Sequence, residues 1–228
     1  MDPGHSRPDL HATLQSRVTG KVTLTGTPAK GDVPINAAAD PKCQHGAGFK
    51  TEHWKIGPNG ELGDVVISVT NAPVGAPSAS KAVITQKGCR YLPHVTALQK
   101  GQTITVVNAD DTLHNIHAIG DAGKGKSLFN FGQPIKDMKT DKTMKEAGVI
   151  KLKCDVHPWM LSYLVVLDTP YFAVSGEDGT FTLPAGLPDG EYTIQAWHSR
   201  FAQPLTQTVK VTGGNAEGNF TFDASTAA

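Results

Sequence analysis

No stretch of ten or more residues in this chain carries a convincing helical repeat. Short runs of alternating or continuous apolar residues appear instead, cut at close intervals by glycine and proline. Those two types number 24 and 15 among 228 residues, a density that suits many short strands joined by turns. The expected fold class is therefore all-β. The charge balance narrows the partners. With 21 basic and 21 acidic residues the net charge is zero, so no global field grips nucleic acid or an anionic membrane. No apolar run approaches the roughly 18 residues of a membrane span; neither nucleic acid nor a membrane span is expected.

The turn signals divide the chain into blocks. Residues 1–15 read as a loose polar tail and contain His5 and His11. Residues 16–80 form an N-terminal β segment with strands near Val22 and over 62–69, ending in a Pro/Gly/Ala/Ser linker over 72–80. In the block 81–168, strands are expected over 95–98, 103–108, 114–119, 148–154 and 161–167. Residues 120–147, poor in apolar side chains apart from Leu128, Phe129 and Phe131, read as a long excursion. Along 148–154 the side chains alternate, so Ile150, Leu152 and Cys154 share one face and Cys154 ends a strand pointing into the core. In 169–228, Asp178-Gly179 and Asp189-Gly190 read as two-residue hairpin turns.

The chemistry concentrates in Cys154-Asp155-Val156-His157-Pro158-Trp159-Met160. A thiolate, an imidazole and a thioether at spacing C-x2-H-x2-M, between two apolar strands, match the soft ligand set of a mononuclear blue-copper site, which needs one further histidine. His114, in Leu113-His114-Asn115-Ile116-His117, is the candidate. Taken singly, a strand-end cysteine is a small core hydrophobe and a methionine is core filler; the combination with an upstream histidine outweighs that reading. His117 lies three residues from His114, on the opposite face of a regular strand, so one ion does not take both without a bulge. His94 precedes a strand and reads as a hydrogen-bonded structural histidine, with an approach to a metal left open. His45, His53 and His198 have no spacing that marks a second site.

Both segments resemble the cupredoxins, and most of all amicyanin and the plastocyanin-like members, over roughly residues 82–168. The shared features are H-N-x-H at His114–His117, C-x2-H-P-aromatic-M at Cys154–Met160, and the strand Lys100-Gly101-Gln102-Thr103-Ile104-Thr105-Val106-Val107-Asn108. The resemblance implies a Greek-key β-sandwich holding one copper ion that cycles between Cu(I) and Cu(II). His114, Cys154 and His157 would be equatorial ligands and Met160 the axial one. Asn115 would steady the Cys154 sulfur and tie the two ligand loops together, with His117 beside it. The implied function is single-electron transfer between redox proteins, a cytochrome or an oxidoreductase. The alternative is a copper carrier or chaperone. Multicopper oxidases and copper nitrite reductases need further histidine clusters, and no H-x-H or H-C-H motif occurs, so an enzyme is not expected. The outer edge of His157 should reach the surface beside Pro158 and Trp159 and serve as the electron exit.

The remaining residues fill in the setting. Glu177-Asp178-Gly179-Thr180-Phe181-Thr182-Leu183 and residues 187–194 resemble the second half of a carboxypeptidase-regulatory-like (transthyretin-like) sandwich, and Val18-Thr19-Gly20-Lys21-Val22 resembles its opening. A second, smaller β-sandwich is therefore expected, with the N- and C-terminal blocks as halves of one discontinuous module. Cys43 and Cys89 lie in similar loop contexts and are expected to form a disulfide, leaving Cys154 free for metal. Disulfides persist in oxidising compartments. Residues 1–6 lack an apolar signal core, so the protein is either cytoplasmic or exported with its signal removed; the expected disulfide favours export, for instance to a periplasm. Lys136, Lys139, Lys142 and Lys145 read as a solvated loop, or as a docking patch for an acidic partner.

Overall fold

The computed structural model describes residues 17–228 apart from 44, 47, 77 and 214; the expected tail, with His5 and His11, lies outside the described residues. The strands are β1 (Arg17–Thr25), β2 (Val66–Val69), β3 (Ala82–Gln86), β4 (Tyr91–Leu92), β5 (Val95–Gln99), β6 (Thr103–Asn108), β7 (His114–Ile119), β8 (Ser127–Gln133), β9 (Lys139–Thr143), β10 (Gly148–Lys153), β11 (Leu161–Leu167), β12 (Phe172–Val174), β13 (Thr180–Thr182), β14 (Gly190–Trp197), β15 (Leu205–Val211), β16 (Asn215–Glu217) and β17 (Phe220–Asp223). Among the described residues, helix is limited to three short 3-10 turns, and none is long and apolar enough to cross a membrane. The fold class is all-β.

Two sandwiches result. In the first, one sheet places β1 between β13 and β16, with β17 also on β1, and the other runs β12-β2-β14-β15. Alternation drives this arrangement. Val18, Val22 and Leu24 of β1 and Tyr192, Ile194 and Ala196 of β14 turn inward onto one core with Ile67, Val209, Phe220 and Phe222. Gly20 is required where β1 meets the C-terminal strands, because a Cβ there would lie 1.9 Å from the Gly218 carbonyl oxygen. N- and C-terminal segments thus share both sheets. The second sandwich faces the sheet β5-β11-β10-β7-β8 with the sheet β4-β3-β6-β9. Its core contains Ile84, Tyr91, Leu98, Ile104, Val106, Ile116, Ile150, Leu152, Cys154 and Leu164.

The sandwiches touch along a small apolar seam. Val95 and Val165 on the outer face of the second pack with Val66 of the first, flanked by Tyr163, Val174 and Trp197. β11 therefore has apolar neighbours on both faces, which is why its sequence runs nearly unbroken in Leu and Val instead of alternating.

Three expectations are corrected. The strand expected over 62–69 starts at Val66; Leu62 and Val65 are buried but lie outside the ladder, and Asp64 takes a left-handed backbone (φ 58°). Residues 120–147 hold two strands, β8 and β9, which are sheet edges with largely solvated side chains. The Asp178-Gly179 turn closes locally through Gly176 N–H to the Thr180 carbonyl (3.0 Å), but the strands it joins diverge. β12 pairs with β2 and β13 with β1, so the turn is a corner between sheets. Asp189-Gly190 likewise leads from one sheet to the other.

Between β1 and β2 the chain forms a strap over one end of the second sandwich. It is held by the Cys43–Cys89 disulfide (Cα–Cα 5.5 Å), the Arg90–Glu52 ion pair (2.7 Å) and Lys42 on Asp111 (3.0 Å). Phe49 packs edge-on to Trp159.

Candidate metal centre

β7 and β10 are antiparallel neighbours with His117 opposite Lys153. Register therefore brings the start of β7, with His114 and Asn115, beside Cys154, which follows β10. The 154–160 loop closes on itself through Cys154 N–H to the Met160 carbonyl (3.2 Å) and Met160 N–H to the His157 carbonyl (2.9 Å). This brings three of the expected ligands together. His114 Nδ1 lies 3.0 Å from His157 Nδ1, and Cys154 Sγ lies 3.8 Å from the latter. All three side chains are buried, as is Met160 in the same core.

The sulfur accepts two backbone N–H groups, from His157 at 3.3 Å and Asn115 at 3.5 Å. The side chain of Asn115 ties the loops, accepting from Asp155 N–H and donating to Asn130 and Asp155. It is thus the backbone amide of Asn115 that touches the sulfur. His117 sits on the opposite face of β7 from His114, held between Asp155 (3.1 Å) and Ser127 (3.0 Å). Neither nitrogen of His94 has a hydrogen-bond partner among the described residues, which corrects the reading of a hydrogen-bonded residue. Its ring rests edge-on against Tyr163, and burial keeps it below the ordinary imidazole value.

The outward nitrogens of both candidate ligands meet carboxylates. His114 Nε2 pairs with Asp110 Oδ2 at 2.9 Å and His157 Nε2 with Asp40 Oδ2 at 2.9 Å. Asp40 is held ionised below the usual carboxylate value by His157 and by Lys42 N–H, with Thr112 adding a smaller pull. Burial works against the charge of Asp110, but Cys89 N–H, His114 and Gly88 N–H together keep its value low. Burial also holds His114 below the ordinary imidazole value, opposed by Asp110. An ionised carboxylate only accepts, so each Nε2 carries the hydrogen. In the neutral tautomer this selects, two Nδ1 lone pairs face each other at 3.0 Å beside the Cys154 sulfur. Such a cluster calls for a soft cation, and its sulfur and imidazole donors fit copper.

Two features differ from sequence expectation. His157 is only 2% exposed, so its outer edge does not reach the surface. Asp40 and the strap cover it, and Trp159 is half-buried with its indole N–H on the Cys89 carbonyl (3.1 Å). The sequence does not mark Asp40 or Asp110 as site residues. Asp110 stands four residues before His114, whereas Asp40 had only its nearness to Cys43 to mark it.

No family model and no curated protein matches the chain. Among solved structures, it is similar to a purple cupredoxin from Nitrosopumilus maritimus, at 29% identity over 37% of this chain and 98% of that one (TM-score 0.34). It is also similar to amicyanin from Paracoccus versutus, at 23% identity over 44% and 96% (TM-score 0.35). A Cu(I) single-site variant of amicyanin gives 20% identity over 44% and 97% (TM-score 0.35). These neighbours are cupredoxins, each matched over nearly its whole length by less than half of the chain.

Proposed function

We propose that His114, Cys154, His157 and Met160 hold one copper ion and that the protein passes single electrons between redox proteins, a cytochrome or an oxidoreductase, in an oxidising compartment. The observation that carries this reading is the pair of inward Nδ1 atoms 3.0 Å apart beside the Cys154 sulfur. The thioether of Met160, buried in the same core, favours copper over zinc, whose structural sites use thiolate and imidazole. Bound there, copper would supply a one-electron Cu(I)/Cu(II) couple. The chain does the rest. Ligands on paired strands and a self-bonded loop keep their places, so little reorganisation accompanies a change of charge. The site is buried away from water, and with copper bound the two N–H groups on the Cys154 sulfur would stabilise its thiolate. The proposed role is therefore that of an electron carrier and not of an enzyme. The strap and its disulfide oppose the fast metal exchange that a copper chaperone needs.

The test is the Cu(II)-loaded protein. We expect one copper per chain, an intense visible thiolate-to-copper band, and loss of that band in Cys154→Ala. A band that persists in Cys154→Ala sinks the assignment. Stopped-flow mixing with a reduced c-type cytochrome then tests electron transfer; no bleaching of the band would count against the carrier role.

A further inference from the structure

The ligand His157 is oriented by a residue from outside its own sandwich. Asp40 lies 117 positions away in sequence, yet its Oδ2 sits 2.9 Å from His157 Nε2. That carboxylate is itself fixed. Thr112 donates to Oδ2 (3.1 Å), Lys42 N–H donates to Oδ1 (2.9 Å), and the disulfide anchors the strap three residues on at Cys43. His114 has the matching arrangement with Asp110, whose oxygens also take the N–H groups of Gly88 and Cys89 at 2.8 Å each. Each half of the disulfide thus neighbours one carboxylate–imidazole pair.

We propose that Asp40 is a positioning residue for the metal centre: the disulfide-held strap places it over the outer edge of His157, where it fixes the ring with Nδ1 inward, strengthens the imidazole as a donor to Cu(II), and closes that edge to solvent and partners. This rests on the copper reading above. A carboxylate on the remote N–H fixes the tautomer and raises ligand basicity, and removing such a partner typically costs 10–100-fold in metal affinity. The extra electron density favours the more highly charged Cu(II), so the carboxylate lowers the reduction potential. It also means that electrons do not leave through a solvent-facing His157.

The decisive variant is Asp40→Asn in the full chain, which preserves size and an acceptor oxygen while removing the charge. Competition against chelators should show Cu(II) binding weakened about tenfold or more, with Cu(I) binding nearly unchanged. Voltammetry should then show the potential raised by about 59 mV per tenfold difference. Lys100→Ala, which removes an exposed ion pair with Asp168 (3.6 Å) outside the strap and leaves the Asp40 carboxylate and its partners in place, should keep the wild-type potential. A second measurement needs no variant and no metal: imidazole 15N NMR of the apoprotein should find His157 as the Nε2–H tautomer. Wild-type potential and Cu(II) affinity in Asp40→Asn, or an Nδ1–H tautomer at His157, would overturn the proposal. Absence of the visible band from the wild-type protein would instead remove the copper reading on which it stands.

Discussion

At the scale of single residues, the centre divides its work between inward and outward atoms. The inward set is Cys154 Sγ and the Nδ1 atoms of His114 and His157, with Met160 buried close by in sequence and in the same core. A thioether is a weak, soft donor that favours Cu(I), whereas an amide oxygen is harder and favours Cu(II). Met160→Gln should therefore retain copper and lower the potential, by about 59 mV for each tenfold gain in relative Cu(II) affinity. An unchanged potential with an unchanged visible spectrum would remove Met160 from the ligand set. The inward residues were legible because all but one come from a seven-residue stretch, and the alternation of β10 already turned Cys154 toward the core. The outward carboxylates were less so. No local pattern connects Asp40 with His157; the contact depends on a strap pinned back at Cys89 and by the ion pairs Arg90–Glu52 and Lys42–Asp111. The same contact explains why the expected surface exposure of His157 does not occur.

At the scale of elements, side-chain burial decides what a sequence announces. β10 and β14 have one face in a core and alternate visibly, while β8 and β9 form sheet edges with polar residues on both faces. Their pairing rests on backbone bonds to β7 and β6, with Lys142 lying over the rings of Phe129 and Phe131. A segment built that way carries only a short period-two signal, Phe129 and Phe131 about Asn130, among polar neighbours. The β14–β15 connection shows a different effect. His198 there is 2% exposed, stacked on Trp54 and packed against Phe201. Burial, with smaller contributions from the charges of His94 and Arg200, pulls its pKa from 6.5 to about 3. A depressed histidine value means that the unfolded chain binds the proton more readily. Its contribution is complete above about pH 6.5 and is lost as the pH falls toward 3. By pH 5 the loss is on the order of 2 kcal/mol. His198→Gln should therefore lose less stability than wild type between pH 7 and 5, read from urea midpoints at the two pH values. Parallel losses in both proteins would show that His198 does not sense the acid.

At the scale of the whole molecule, the first sandwich depends on strands that lie far apart in sequence. β1 is the only ladder partner of β13, β16 and β17 among the named strands, and β2 lies between β12 and β14. The C-terminal block by itself would keep one regular antiparallel pair, β14 with β15. It would also expose Phe181, Ile194, Phe220 and Phe222, which now share a core with Val18, Val22 and Leu24. An isolated two-stranded pair is marginal in water at best. A fragment of residues 169–228 should therefore show no cooperative thermal transition and little amide dispersion by NMR. Adding a separate peptide of residues 16–80 should restore both, because it returns the central strand of one sheet and an interior strand of the other. Cooperative folding of 169–228 alone would show that the C-terminal block is independent, and that β1 and β2 merely dock on it.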